Sequence, residues 1–227
     1  CLKSGNAVIL RGGSDSINSN LALAHCITRA CISKGIDNGI VQLLPWTERD
    51  AVNLLLKMDN YIDLVIPRGG EGLIRKVVQK STIPVIKHYK GICNIYIDSV
   101  CNEKMALNIV ENAKCQRPGV CNSAETLLIH EGIAEDISPK LADILIKNGV
   151  ELRGDTQFCS LIPSAKKATE EDWSTEYLDL IISIKIVPHI QAAIDHINMY
   201  GSQHSDLIIT DNCKNAEKLL YEIETRL

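Results

Sequence analysis

The chain has 227 residues, 24 Lys and Arg against 28 Asp and Glu, a net charge of −4 and 45% hydrophobic residues. That is apolar material enough for one large or two modest packed domains, and it lacks the basic excess that binding a nucleic-acid backbone demands. No apolar run approaches the roughly 18 residues that cross a bilayer, and residues 1–13, CLKSGNAVILRGG, have no signal-peptide layout, so a soluble cytoplasmic protein without membrane or nucleic-acid partners is expected.

The nine cysteines are odd in number, form no Cys-x-x-Cys, and have no histidines near them at ligand spacing. No metal site is expected, and most of the thiols read as reduced, small, buried hydrophobes. The first residue is Cys1 rather than Met, a few positions ahead of a strand. This reads as an excerpt of a longer chain.

Residues 1–90 alternate strand-like and helix-like pieces. NAVILR (6–11) is a short apolar run. The stretch 12–35 opens with glycines and capping residues and continues at helical apolar spacing. IVQLLP (40–45) reads as a second strand before a helix over 47–58, where Thr47 can cap and Glu48 and Asp50 suit the positive end of the helix dipole. IDLVIPRGG (62–70) reads as a strand entering a glycine turn, then a helix over 71–81 and a strand, IPVIKH (83–88). Repeated βαβ units with apolar strands predict part of a doubly wound parallel sheet over residues 1–90.

Residues 91–227 predict a second α/β domain. A helix is expected over 102–114, a strand at ETLLIH (125–130), a helix over 133–149, a strand at LIISIKIV (180–187), a helix over 191–201, a strand at SDLIIT (205–210) and a last helix over 215–227. PSAKKATEEDWSTEYLD (163–179) reads as a polar surface stretch.

Two glycine turns, Arg11-Gly12-Gly13-Ser14 and Arg68-Gly69-Gly70, stand at strand-to-helix junctions. Each is either a plain connection or a cradle for phosphate or ribose, with backbone N–H groups at a helix start and an arginine beside them. Two such turns at the carboxyl ends of one parallel sheet would face a shared crevice.

Cys121 follows a Pro118-Gly119 break, where a thiol can be exposed to a cleft as a nucleophile. Cys115 competes for that role, and the alternative for either is a structural cysteine. Arg117 is a ligand for an anionic leaving group or a helix-end cation. His196, His204 and Ser205 in or near the turn YGSQHS (200–205) are substrate contacts or turn chemistry.

In order, GNAVILRGGSDSINSN, IDLVIPRGGEGLI, QRPGVCNSAETLLIH, STEYLDLIISIKIV and DHINMYGSQHSDLIIT resemble the gamma-glutamyl phosphate reductase family of the aldehyde dehydrogenase superfamily. The resemblance runs through the whole chain. It implies an aldehyde dehydrogenase-like fold, with residues 1–90 in the NADP(H)-binding domain and 91–227 in the catalytic domain. It implies NADPH-dependent reduction of L-glutamyl 5-phosphate to L-glutamate 5-semialdehyde and phosphate, in proline biosynthesis, through a thioester on Cys121. It places Arg11, Gly12, Gly13 and Ser14 at the adenosine ribose, Arg68, Gly69 and Gly70 near the pyrophosphate, and Glu176 at the nicotinamide ribose, although TEYLD departs from the E-x-F-G-P pattern there. Arg117, Asn122, His204 and Ser205 become substrate contacts. A homo-oligomer coupled to a glutamate 5-kinase follows by the same resemblance, as do further segments before residue 1 and after residue 227. Two alternatives are a reductase acting on another acyl phosphate or an acyl-CoA, and a truncated, non-catalytic nucleotide- or partner-binding fragment.

Overall fold

The structure, a computed structural model, describes residues 1–86 and 90–223. The chain divides into two compact units, Cys1–Lys87 and His88–Leu227.

In the first unit, strand β1 (Val8–Arg11) enters a 3-10 turn (Ser14–Ser16) and helix α1 (Ile17–Ser33), which Gly35 ends with φ 73°. Strand β2 (Val41–Leu44) lies parallel to β1, with Val8 opposite Val41 and Arg11 opposite Leu44. Helices α2 (Arg49–Leu55) and α3 (Glu71–Lys80) follow. The expected strands at 62–70 and 83–88 reduce to one parallel bridge, Val65 with Val85; Lys87 and His88 of the second lie outside the described residues. Their backbone groups are used sparingly, Val65 N–H donating to the Pro84 carbonyl and Ile86 N–H to that of Val65. The expectation of one sheet carrying both glycine turns is therefore corrected. β1 and β2 form a two-stranded sheet, and the strand before the second turn is not laddered to it among the described residues. Thr47 does not cap α2 either. Glu48 holds that position without a side-chain bond, and the Thr47 carbonyl instead accepts from Arg11.

The second unit is a six-stranded parallel sheet. Its elements are β3 (Cys93–Ile97), α4 (Glu103–Cys115), β4 (Ala124–His130), α5 (Glu131–Lys147), β5 (Glu151–Gly154), α6 (Thr156–Leu161), β6 (Lys166–Lys167), β7 (Ile181–Val187), α7 (Ile190–Tyr200), β8 (Asp206–Ile209) and α8 (Cys213–Glu222). The strand order is β6-β5-β7-β4-β3-β8. Strand side chains alternate in direction, so each strand of apolar residues feeds two layers. Leu127, Ile129, Ile95, Ile97, Ile182 and Ile184 pack with α4, α5 and α6 around Val110, Leu141, Leu145 and Phe158. Tyr96, Leu128 and Val187 point to the opposite layer, against Ala193, Ile194, Ile197 and Leu219 of α7 and α8. Each fully buried aliphatic side chain contributes roughly 1.5–3 kcal/mol, which makes these two layers the main support of the unit. No helix among the described residues is long and apolar enough to cross a membrane.

The stretch 163–179 is largely the surface its composition suggests, with Asp172 and Trp173 as buried exceptions. It folds as β6 and a 3-10 turn (Glu170–Ser174) that buries Asp172 and Trp173. Arg153 Nη1 donates to Asp172 at 2.6 Å, and the Thr169 N–H and hydroxyl and the Tyr177 hydroxyl also donate to its carboxylate. Burial works against the charge, but these bonds outweigh it and hold the Asp172 carboxyl at about 2.

His196 is a core residue rather than a substrate contact. It is buried between Trp173, edge-on at 5.3 Å, and Tyr200, with Lys185 Nζ 3.4 Å from Nδ1. Burial, then the Lys185 charge, push the imidazole down to about 3. The folded protein thus refuses a proton that the unfolded chain accepts near its ordinary 6.5, and stability must fall as pH drops through the window between them. In urea unfolding, His196 should cost the protein about 2 kcal/mol between pH 7 and pH 5. The His196→Phe variant should lose that part of the slope; an unchanged slope would show that His196 is charged in the fold.

Candidate active site

The Cys121 turn exists because helix α4 cannot continue through Pro118, which has no N–H to donate and disfavours helical geometry in the residue before it. The chain turns over residues 116–123, with Val120 N–H on the Arg117 carbonyl and Ser123 N–H on that of Val120. Ser123 Oγ ties the turn back to α4 at the Ala113 carbonyl, 3.2 Å away. β4 then starts at Ala124, so Cys121 stands at the amino end of a central strand.

The other residues around it come from the same end of the sheet. Gly91 precedes β3, Glu176 and Leu178 precede β7, and Ser202, His204 and Ser205 precede β8. Gly91 packs on the Cys121 backbone so closely that a Cβ on it would stand 2.0 Å from the Cys121 carbonyl oxygen. Gly91 N–H donates to Glu176 Oε1 at 2.8 Å, and Ile92 N–H to Ser202 Oγ at 2.8 Å. The Cys93 thiol donates to the Cys121 carbonyl at 3.3 Å and lies 3.6 Å from His204 Nδ1, which is 2.8 Å from Ser205 Oγ. The described non-glycine residues with positive φ are Leu178 at 53° and Gln203 at 61°. Both sit in these loops, where strained backbone persists only if its surroundings hold it.

The thiols differ in chemistry. Burial, then the charges of Asp206 and Glu125, push Cys93 up to about 12, so it stays protonated. Cys115 is the last residue of α4, packs on the larger core cluster and is also pushed up by burial. Cys121 is half-buried in the turn. Cys115 is equally half-buried, but it packs against the core cluster, which Cys121 does not join.

Beneath the turn lies an ion pair that composition did not reveal. Lys114 Nζ and Glu125 Oε2 are 2.8 Å apart, both side chains fully buried, and Glu125 Oε1 accepts from Leu178 N–H at 3.3 Å. Burial pushes Glu125 up and Lys114 down, and each offsets the other's shift.

Of the residues singled out from the sequence, Cys121, Glu176, His204 and Ser205 are brought together in this network. Arg117 and Asn122 are exposed on the Cys121 turn. Gly91, Cys93, Ser202 and the Lys114–Glu125 pair were missed; the signal for Gly91 was a glycine directly before a strand, where a neighbouring backbone comes close.

Arg11, Gly12, Gly13, Ser14, Arg68, Gly69 and Gly70 belong to the first unit. Arg11 donates to the Thr47 carbonyl, and its Nε is buried without a partner. Open space lies where a Cβ would stand on Gly13 and on Gly70, and Gly70 caps α3 with no side chain bonding the helix start. In the second unit, by contrast, Asn102, His130, Asp155, His189 and Asn212 each cap the helix that follows them with their own side chains. Uncapped N–H groups, an unsatisfied guanidinium nitrogen and missing side chains fit a phosphate- and ribose-bearing cofactor in the first unit. Among the described residues no group of three His, Cys, Asp or Glu is arranged to hold a metal ion.

The family model described as "Aldehyde dehydrogenase family" matches residues 1–182. The chain belongs to this family. Among curated proteins, it is 52% identical over 224 residues to "Gamma-glutamyl phosphate reductase" of Desulfatibacillum aliphaticivorans, covering 99% of this chain and 54% of the relative. It is 51% identical to the protein of the same name from Citrifermentans bemidjiense, with the same coverage. Among solved structures, the "Gamma-glutamyl phosphate reductase" of Thermotoga maritima matches with a TM-score of 0.91 at 45% identity, over 99% of this chain and 54% of that one. An "Acetylating Aldehyde Dehydrogenase" from Geobacillus thermoglucosidasius shares the fold, with a TM-score of 0.76 at 19% identity over 99% of this chain and 58% of that one. The aldehyde dehydrogenase-family chain thus spans about half the length of the reductases it matches.

The contact between Gly91 and Cys121 is with backbone, which cannot swing aside as a side-chain tip does. Gly91→Ala should therefore cost about 1–3 kcal/mol in urea unfolding and change the rate at which iodoacetamide labels Cys121. A variant matching the parent in both would show that the two strands' amino ends have slack.

Proposed function

We propose that this chain carries the thiol centre and part of the cofactor site of a cytoplasmic gamma-glutamyl phosphate reductase. The reaction is the reduction of L-glutamyl 5-phosphate by NADPH to L-glutamate 5-semialdehyde and phosphate, a step of proline biosynthesis. The observation that carries the reading is the half-exposed Cys121 in a turn met by three further loops at one end of the sheet, in a chain about half identical to proteins of that name.

Cys121 is the nucleophile. Its thiolate attacks the acyl carbon, the bond from that carbon to the phosphate oxygen breaks, and phosphate leaves with the electron pair. NADPH, when bound, supplies the hydride that takes the resulting thioester to the aldehyde level. The carbon–sulfur bond then breaks, releasing the aldehyde and restoring the Cys121 thiolate. No water is activated, so no general base is needed beside the thiol. Arg117, a cation on the same turn, meets the departing phosphate. Asn122, His204 and Ser205 contact the substrate. Glu176, with Oε1 committed to Gly91, offers its other oxygen to the nicotinamide ribose. Arg11, Gly12, Gly13 and Ser14 hold the adenosine ribose, and Arg68, Gly69 and Gly70 lie near the pyrophosphate. The full enzyme is a homo-oligomer supplied with its unstable acyl phosphate by a glutamate 5-kinase.

The reverse reaction tests this. Pyrroline-5-carboxylate and NADP should give NADPH only when phosphate is present, measured on this chain and on one extended at both ends to the length of its relatives. Cys121→Ala should abolish the signal while NADPH still raises the melting temperature. Turnover surviving in that variant, a preference for coenzyme A over phosphate, or silence from both lengths would each overturn the proposal.

A further inference from the structure

The buried Lys114–Glu125 pair has no part in the chemistry above, yet it lies between the two segments that shape the site. Lys114 is in the last turn of α4, just before the Cys121 turn, and Glu125 is the second residue of β4, just after it. Their contact at 2.8 Å therefore closes the base of the loop that carries the thiol. The second Glu125 oxygen takes Leu178 N–H, and Leu178 is one of the two strained residues. The Leu178 carbonyl in turn faces Gly119 of the Cys121 turn, 3.6 Å from where a Cβ on that glycine would stand. Two residues before Leu178, Glu176 bonds Gly91 N–H, and Gly91 packs on the Cys121 carbonyl. The contacts form a closed ring: Lys114, Glu125, Leu178, Glu176, Gly91, Cys121 and back through the turn to Lys114.

We propose that Glu125 is a positioning residue, which fixes the left-handed turn at Leu178 and through it sets the Glu176 carboxylate and Gly91 against the Cys121 backbone. This rests on the reading of Cys121 as the nucleophile. A pair needed only for packing would be replaceable by apolar side chains of similar size, since taking two charges out of water costs about what their attraction returns. Only the carboxylate oxygen facing Leu178 has no apolar substitute.

The test is the double variant Lys114→Met with Glu125→Leu, which removes both charges together and leaves no unpaired ion in the core. Its urea midpoint is compared with the parent's, and two local readouts are followed by mass spectrometry. One is hydrogen exchange in peptides containing Gly91 and Leu178; the other is the pH dependence of iodoacetamide labelling at Cys121. The expected result is a near-parental midpoint, parental protection at residues 126–129 of β4, tenfold or faster exchange at both Leu178 and Gly91, and a labelling midpoint moved by half a pH unit or more. Parental exchange and labelling in a folded variant would overturn the proposal, as would loosening at Leu178 alone or loss of protection throughout β4. Should the double variant fail to fold, Glu176→Leu, which leaves Gly91 N–H no side-chain acceptor, reads the ring from its far side: Gly91 should lose protection while Leu178 keeps it, and loss at both would reverse the proposed order and overturn it. These readouts need no turnover, so an inactive chain with the expected exchange would count against the proposed reaction and not against the role of Glu125.

Discussion

The contact on which the loops around Cys121 depend is the one between Gly91 and the Cys121 backbone. β3 and β4 run parallel, and their ladder is irregular between Cys93 and Asn94, the point at which the pairing passes from Ala124 to Thr126. That slip lets the segment before β3 fold down onto the turn before β4, at a separation where only glycine fits. Once the two segments touch, the free N–H of Gly91 needs an acceptor, because an unpaired donor there would carry the full cost of desolvation. Glu176 supplies it, and this brings in the loop before β7. Ile92 repeats the logic with Ser202, which recruits the loop before β8. Satisfying two backbone donors thus assembles four chain segments around one thiol.

The proposed thiol centre lies away from the usual place for sites in parallel α/β sheets, which is at the carboxyl ends of the strands. There, each helix start would offer N–H groups to an anion, but Asn102, His130, Asp155, His189 and Asn212 take those groups internally. Asp98, just past β3, is likewise spent: Tyr96, Ser99, Thr210 and Asn215 all donate to it. Burial disfavours its charge, and these bonds more than compensate, lowering its carboxyl below the usual range. That end of the sheet is closed by its own side chains.

Much of this was legible in the sequence, and the failures have physical causes. β4 and β7 read correctly because strands buried on both faces need unbroken apolar runs. The Cys121 break read correctly because proline ends a helix for local reasons. The strands expected at 62–70 and 83–88 had suitable composition, but strand formation depends on a partner at the right register, which a local pattern does not contain. Residues 163–179 are mostly surface as read, but Asp172 is buried there because Arg153, Thr169 and Tyr177 converge on it. Lys114 and Glu125 are eleven positions apart with a proline between them, so no helical spacing marks them as partners. Polar groups that meet only in the tertiary fold have no periodicity to read.

The amino-end location also sets the electrostatic problem the site has to solve. In a parallel sheet the helices run back against the strands, so the amino ends of strands meet the carboxyl ends of helices, where the helix dipole is negative. Cys121 follows the end of α4, and a thiolate there gains nothing from that helix. Two cations flank the turn: Lys114 buried beneath it and Arg117 exposed upon it. Lys114 is matched by Glu125, which leaves Arg117 as the positive charge on the solvent side of the turn. In the reaction proposed above, an acyl phosphate would bring its own anion to this exposed cation and carry it away as the leaving group. Under that proposal the substrate arrives already activated, and the surroundings of the thiol have chiefly to hold it in place.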